Sequence, residues 1–417
     1  MKVRFTQIID YWVGVPLCAL LSVWALLVRL VFRAAPRAPR RILFIELSEM
    51  GSAVLAHSSL VRAKEISDEG ELYFLIFEKN YESVALLDVL PAENILIIKE
   101  DSFWHFVAST FATLVRIRRL RIDTVIDLEL FSRFTALISY MTGASNRVGF
   151  HNYTSEGLFR GTFLTHPVLY NHHQHMALNF LALVLALQAP RGEMPLLKQD
   201  VRGAVLPPPR YPTSESEKRR VWELLTREKR ELTPDTPLIV FNPDPGPALP
   251  IRGWPVENFA ALAKALLERA PSATIVVMGL PTSRPLAQTI IGTAGAARCI
   301  DLTGKTASLR DVVALFGLSR VLVTADGGPA HMASLTDIRC VVLFGPETPR
   351  LYAPLGDNVT TLYAHLSCSP CFAAANHRRT ICTDNKCMQA IEVRQVLDAV
   401  LEGMRGAGAE DGTRRPA

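Results

Sequence analysis

A chain of 417 residues is longer than one hydrophobic core ordinarily organises, so two globular units and a short appendage are expected. The formal net charge of +5 is small for this size. Lys and Arg form no long stripe with interleaved aromatics, which argues against nucleic acid as a partner.

The first element in chain order is apolar. Tyr11 to Val28 carries no charge and is bounded by Asp10 and Arg29, a run just long enough to cross bilayer hydrocarbon as a helix. Trp12 and Trp24 suit its interfaces. Arg29, Arg33, Arg37, Arg40 and Arg41 stand where a small-residue cleavage site would lie, so the segment reads as an uncleaved membrane anchor rather than a signal peptide. These arginines outweigh Lys2 and Arg4, and the positive-inside rule then places everything after residue 30 in the cytoplasm. Pro16 leaves a re-entrant or surface-lying helix open, as is a buried soluble helix.

Beyond residue 40, short apolar strands alternate with longer amphipathic segments, the order that a doubly wound α/β sheet requires. Arg41 to Leu47 reads as the first strand and Ala53 to Glu65 as the first helix. Strands at Leu72–Phe77 and Ile95–Lys99, a helix over Phe103–Leu120 and a strand at Thr124–Leu128 follow. The pattern breaks near Ala189, and the proline-rich stretch before Glu217, with Pro207-Pro208-Pro209, reads as an interdomain connection. A second series starts at Pro237–Asn242 and continues at Thr274–Met278 and Ala297–Leu302. The expected domains are therefore an anchor and basic flank at 1–40, Rossmann-like units at 41–205 and 206–402, and a glycine-rich tail without fixed structure at 403–417.

The most informative stretch joins the strand Arg320–Val323 to a helix through Thr324-Ala325-Asp326-Gly327-Gly328-Pro329-Ala330-His331. A strand that turns into a helix leaves backbone N–H groups unpaired, and glycines let an anion approach them closely. Cys340–Phe344 follows and ends in Gly345-Pro346-Glu347-Thr348-Pro349, a second loop opening on the same sheet edge. Two such loops read as a nucleotide pocket. Asp326 as a helix cap and His331 as a packing residue stay open beside that reading.

Several segments resemble the heptosyltransferase family, glycosyltransferase family nine. They are Asn242-Pro243, Arg252-Gly253-Trp254-Pro255 with Phe259-Ala260, Asp301-Leu302-Thr303-Gly304-Lys305-Thr306, the Asp326–His331 loop and Phe344–Pro349. In the N-terminal half, Glu46–Gly51 resembles the family's first strand and loop, and Arg147-Val148-Gly149-Phe150 a later turn. The resemblance implies a GT-B fold, two Rossmann-like domains facing across a cleft, behind the N-terminal anchor. It also implies an inverting, metal-independent transfer of a heptose or similar sugar from a nucleotide-diphosphate donor such as ADP-heptose. The acceptor would be a lipid-linked or lipopolysaccharide-type glycan at the bacterial inner membrane, with the catalytic domains cytoplasmic and no cofactor beyond the donor.

On this reading Asp326, Gly327 and Gly328 hold the donor's diphosphate and sugar, with His331 nearby. Arg252 is the cation for the leaving diphosphate, because its planar fork binds two phosphate oxygens, with a surface arginine the alternative. Asn242, Thr303, Gly304, Lys305, Gly345 and Pro346 line the donor side, with Lys305 as a solvated helix-start residue the alternative. Ser48, Gly51 and His175 lie on the acceptor side. The family tends to carry an acid after the strand equivalent to Val276–Met278, where Gly279–Arg284 has none. Its first loop usually carries Gly-Asp, the carboxylate that takes the acceptor's proton, and this chain has Gly51-Ser52. Serine cannot do this alone, so Glu49 is the substitute, with a solvated loop glutamate the alternative and His57 and Asp127 poorer candidates. An inactive binding or scaffolding protein and a sugar-nucleotide epimerase are the alternatives.

Cys368, Cys371, Cys382 and Cys387 have zinc-like spacing, and His365 and His377 are near enough in sequence to join them, although related proteins carry a similar cysteine-bearing loop. Bound metal and unliganded thiols are both open there. The cluster His172, His173 and His175 reads as an acceptor contact or packing.

Overall fold

The computed structural model describes residues 3–31, 38–130, 132–153, 159–190, 192–246, 249–376 and 378–410. Arg33, Arg37, His377 and tail residues 411–417 lie outside that range. The chain divides into two compact units: Met1–Pro207 with Ala374–Arg378, and Pro208–Ala373 with Arg379–Ala417. The division falls after Pro207, against an expected boundary after residue 205, and the return of Ala374–Arg378 to the first unit is a feature that the sequence did not suggest.

The first unit begins with helices α1 (Val3–Trp12) and α2 (Gly14–Val31). Its strands are β1 (Arg41–Ile45), β2 (Glu71–Phe77), β3 (Ile95–Ile98), β4 (Thr124–Asp127), β5 (Asn146–His151) and β6 (His166–Leu169). Helices α3 (Met50–Leu55), α4 (His57–Ile66), α5 (Tyr81–Ala85), α6 (Phe103–Arg119), α7 (Arg133–Met141) and α8 (Met176–Leu185) connect or cover them. All strands run parallel in the order β3-β2-β1-β4-β5-β6. Strands covered on both faces read as unbroken apolar runs, and Ile42-Leu43-Phe44-Ile45 is fully buried for that reason.

The second unit repeats the plan. Its strands are β7 (Leu238–Asn242), β8 (Thr274–Val277), β9 (Cys299–Asp301), β10 (Val321–Ala325), β11 (Arg339–Phe344) and β12 (Val359–Tyr363), in the order β12-β11-β10-β7-β8-β9. The helices are α9 (Glu215–Glu228), α10 (Val256–Arg269), α11 (Arg284–Ala294), α12 (Leu309–Gly317), α13 (Gly328–Ala333), α14 (Pro349–Tyr352), α15 (Lys386–Gln389) and α16 (Val393–Glu410). In each sheet the strand order reverses between neighbours, β1 beside β4 and β7 beside β10. Loops leaving the carboxyl ends of such a pair diverge, which opens the crevice where doubly wound sheets bind ligands.

Three expectations are corrected. Arg147–Phe150 is strand β5 rather than a turn, paired with β4 and β6. The first helix is two helices divided at Ala56. The tail expected to begin at residue 403 is helical through Glu410. Of the basic-flank arginines, Arg40 and Arg41 pair with Glu69, and Arg41 also with Glu71.

The apolar segment Ile8–Val28, with mean hydropathy 2.0, is the one helix among the described residues long and apolar enough to cross a membrane. It packs lengthwise on the first unit. Asp10 accepts from the first amides of α7, Arg133 and Phe134, at 3.1 Å, and its other oxygen pairs with the buried guanidinium of Arg133 at 3.0 Å. Gly14 permits this approach, because a Cβ there would stand 2.8 Å from that of Arg133. Cys18 and Ala25 are buried with Ala136 of α7 and Phe163, and Ser22 Oγ accepts from the Thr162 amide at 2.9 Å.

Candidate functional site

In the first unit the loops after β1 and β4 bring acids together. Glu46 is only 3% exposed and its Oε1 accepts from the Glu49 amide at 3.2 Å. Glu129 follows β4 and is held by the opposite loop: the amides of Leu47 and Ser48 and the Ser48 hydroxyl all donate to its Oε1, at 3.0, 3.2 and 2.9 Å. Glu49 is gripped by Arg378, whose two terminal nitrogens reach its two oxygens, and Ser52 Oγ donates to Oε2 at 3.1 Å.

Crowding sets the acidities. Burial, then the charges of Glu129 and Glu49, hold the Glu46 carboxyl well above the usual range. Burial, then Glu49 and Asp127, push Glu129 up to about 6. Asp127 itself is fully buried and ion-paired with Arg160, so its role is to hold the sheet end together. His57 opens α4, and burial lowers its pKa.

The raised pKa of Glu46 has a stability consequence. The folded state binds its proton across a pH window in which the unfolded chain has released it, so stability is full below about 4.5 and falls as pH rises. Glu46→Gln keeps the acceptor for the Glu49 amide and removes the titration. Melting curves across pH 4.5–8 should therefore show the parent losing Tm with rising pH and the variant holding steadier, with the larger Tm at the alkaline end.

The second unit's crevice, between β7 and β10, gathers the other predicted residues. Arg252 lies in the loop after β7, and that loop is pinned by Asn385, whose Nδ2 donates to the carbonyls of Ile251 and Gly253 at 2.9 and 2.8 Å. Trp254 anchors its far end through Nε1 to the Ile391 carbonyl at 3.0 Å. Arg252 thereby reaches across to Asp326, Nη1 to Oδ2 at 3.1 Å, while its buried Nε has no acceptor among the described residues. Gly327 is extended and a Cβ there would meet nothing within 4 Å, so the space above the loop is open. Gly328 starts α13, on which His331 is buried. Asn242 Nδ2 donates to Thr324 Oγ1 at 3.0 Å and ties the two strand ends together.

A match to the family model described as glycosyltransferase family 9 (heptosyltransferase) covers residues 111–381, more than half of the chain. The chain belongs to this family.

Two curated relatives agree with that assignment. Lipooligosaccharide heptosyltransferase 2 of Haemophilus influenzae is 29% identical over 133 residues, 31% of this chain and 37% of that protein. Lipopolysaccharide heptosyltransferase 2 of Salmonella typhimurium is 32% identical over 129 residues, 30% of this chain and 35% of that protein. The matched part of the chain thus spans little more than a third of either relative. The solved E. coli ADP-heptose lipopolysaccharide heptosyltransferase II superposes with a TM-score of 0.64 at 20% identity, over 88% of this chain and 99% of that one, which establishes a shared GT-B-like fold.

Other expected site residues of this family 9 chain make local contacts in the structure. Thr303 donates through both its amide and its hydroxyl to Asp301, at 2.9 and 2.6 Å. Gly304 has φ of +71° and sits against Pro281, a place that no side chain fits. Lys305 pairs with Glu228 at 2.6 Å. His175 caps α8, its Nδ1 accepting from the Ala177 amide at 3.3 Å. Pro346 accepts from the amides of Cys371 and Phe372, both at 3.0 Å. Gly345 is packed under α15: an added Cβ would lie 2.4 Å from Met388 Sδ and 3.0 Å from Cys387 Sγ. Gly345→Ala should accordingly cost about 1–3 kcal/mol in chemical denaturation, the usual cost of overfilling a packed site.

Among the described residues no group of three or more His, Cys, Asp or Glu is arranged to hold a metal ion. Cys368 and Cys382 are exposed and Cys387 is buried. His365 stacks edge-on against Tyr363 at 4.5 Å. Sequence reasoning missed Glu129, Arg378 and Asp244. The last follows β7 and accepts from Ser283 Oγ at 2.7 Å, which brings an acid to the loop that lacks one of its own.

Proposed function

We propose that this protein is an inverting glycosyltransferase that moves a heptose or similar sugar from a nucleotide-diphosphate donor, with ADP-heptose the first candidate. The acceptor is a lipid-linked or lipopolysaccharide-type glycan at the cytoplasmic face of a bacterial inner membrane. The observation that carries the reading is Arg252, fixed over the Asp326 loop at the second unit's crevice with a buried N–H still lacking an acceptor. The names of the relatives, which specify heptosyltransferases and in one case ADP-heptose, supply the sugar and base.

The second unit takes the donor. Arg252 and the amides of Gly327 and Gly328 meet the diphosphate, so the charge released on bond breaking goes to a guanidinium and backbone dipoles rather than to a metal ion. Asp326 turns from Arg252 to the sugar hydroxyls, and Asp244 faces the ribose. The first unit supplies the proton acceptor. As the acceptor oxygen bonds to the anomeric carbon and the carbon–phosphate oxygen bond breaks, the hydroxyl proton must leave. Glu49 is the carboxylate nearest in sequence to the missing aspartate, but both its oxygens are engaged by Arg378 and Ser52. Glu129 offers Oε2, which accepts none of the bonds that hold Oε1, and its pKa of about 6 suits a base working near neutrality.

The test is a melting-temperature screen of the full chain against ADP-, UDP- and GDP-linked sugars, followed by transfer of labelled sugar to a lipid acceptor. ADP-heptose should raise Tm where the others do not, because a ligand stabilises only the state that binds it. Absence of any shift with all three classes, together with no transfer, would sink the proposal.

A further inference from the structure

The first unit carries an apolar surface that neither its core nor the transfer chemistry uses. Helix α6 is apolar on two adjacent faces. Leu114 and Ile117 join the core beneath it, while Phe103, Trp104, Val107 and Phe111 are 50%, 75%, 43% and 69% exposed on the outside. At 3.6 residues per turn these four lie within roughly 100° of one another. A solvated helix would place charge there, and a contiguous aromatic patch marks a docking surface rather than chance exposure.

The patch does not stand alone. Phe106 of α6 packs on Phe134 of α7 at 5.2 Å, and Arg118 near the other end of α6 donates to the Met141 carbonyl at the end of α7 at 2.8 Å, so the two helices run side by side in the same sense. On its other flank α7 carries α2, also in the same sense, with Gly14 against Arg133 at the start. Further along, Leu17, Leu20 and Trp24 of α2 line an apolar groove of about 400 Å³ with Leu137 and Met141 of α7. Leu20, Trp24, Leu27 and Leu30 of α2 are exposed as well. A helix packed lengthwise on an α/β unit cannot cross a bilayer without drawing its neighbours in.

We propose that the outer faces of α2 and α6 form one membrane-docking face that seats the first unit lengthwise on a lipid bilayer. Tryptophan and phenylalanine are the side chains that settle at the headgroup boundary. Arg118 and Arg119, exposed at the end of α6, meet lipid phosphates there. The inference concerns attachment and stands whether or not the transfer reaction is as proposed.

Trp104 is its reporter. The full chain and its Trp104→Phe variant are placed in vesicles of phosphatidylethanolamine and phosphatidylglycerol, and the difference in their emission isolates Trp104. That component should lose most of its intensity when the acyl chains are brominated and little when iodide is added to the water. Quenching by iodide instead would put the stripe in solvent and overturn the proposal. Protection from both quenchers would mean that another protein surface, such as a second copy of the chain, covers the stripe, and would overturn it equally.

Discussion

Glu129→Gln should lower kcat for sugar transfer by on the order of 10²–10⁴, the range that a positioned general base contributes. The substitution preserves an acceptor for Leu47 and Ser48 and removes the proton site, so the fold should melt no lower than the parent, and higher above pH 6. The pH profile carries the sharper information. In the parent, kcat/KM should rise as pH increases through about 6, as Glu129 loses its proton, and then level off. In Glu129→Gln that limb should vanish. Glu49→Gln is the companion variant: because the Glu49 charge raises the Glu129 pKa, removing it should leave an active enzyme whose limb moves to lower pH. An inactive Glu49→Gln beside an active Glu129→Gln would return the base to Glu49 and refute the assignment made here.

Arg252→Ala is the second large effect, expected to cost on the order of 10²–10³ in kcat, as removal of one preorganised charge-stabilising group does. Arg252→Lys should recover part of the loss, since an ammonium keeps the charge but not the planar fork. Steady-state transfer with a saturating acceptor, read beside donor-induced Tm shifts, separates lost binding from lost stabilisation of the leaving group. Unchanged turnover in Arg252→Ala would remove the guanidinium from the chemistry altogether.

The second unit's strands and loops were legible in sequence because their signals are local. Val321–Ala325 and Arg339–Phe344 are buried parallel strands, which read as continuous apolar runs, and the glycines that follow each one mark a loop. Strands away from the sheet centres were harder. β6 contains Pro167, which belongs on an edge, β12 carries Thr360 and Thr361 side by side, and β5, which contains Gly149, was read as a turn from the family resemblance. The acids and their cation were obscured by topology. Glu129 becomes a partner of Ser48 only because β4 lies beside β1, and Arg378 reaches Glu49 across 329 positions of chain. No periodicity or spacing encodes either contact. Asp244 was passed over for a related reason: its role depends on the neighbouring strand's loop, whose Ser283 holds it.

The return of Ala374–Arg378 to the first unit bears on biosynthesis. A ribosome releases Glu49 long before the Arg378 guanidinium that pairs with it, so the nascent amino-terminal half lacks that cation until nearly the whole polypeptide has emerged. A gene fragment ending at Pro207 would encode that incomplete intermediate, and appending a tethered copy of the short returning peptide is the rational way to make it self-sufficient.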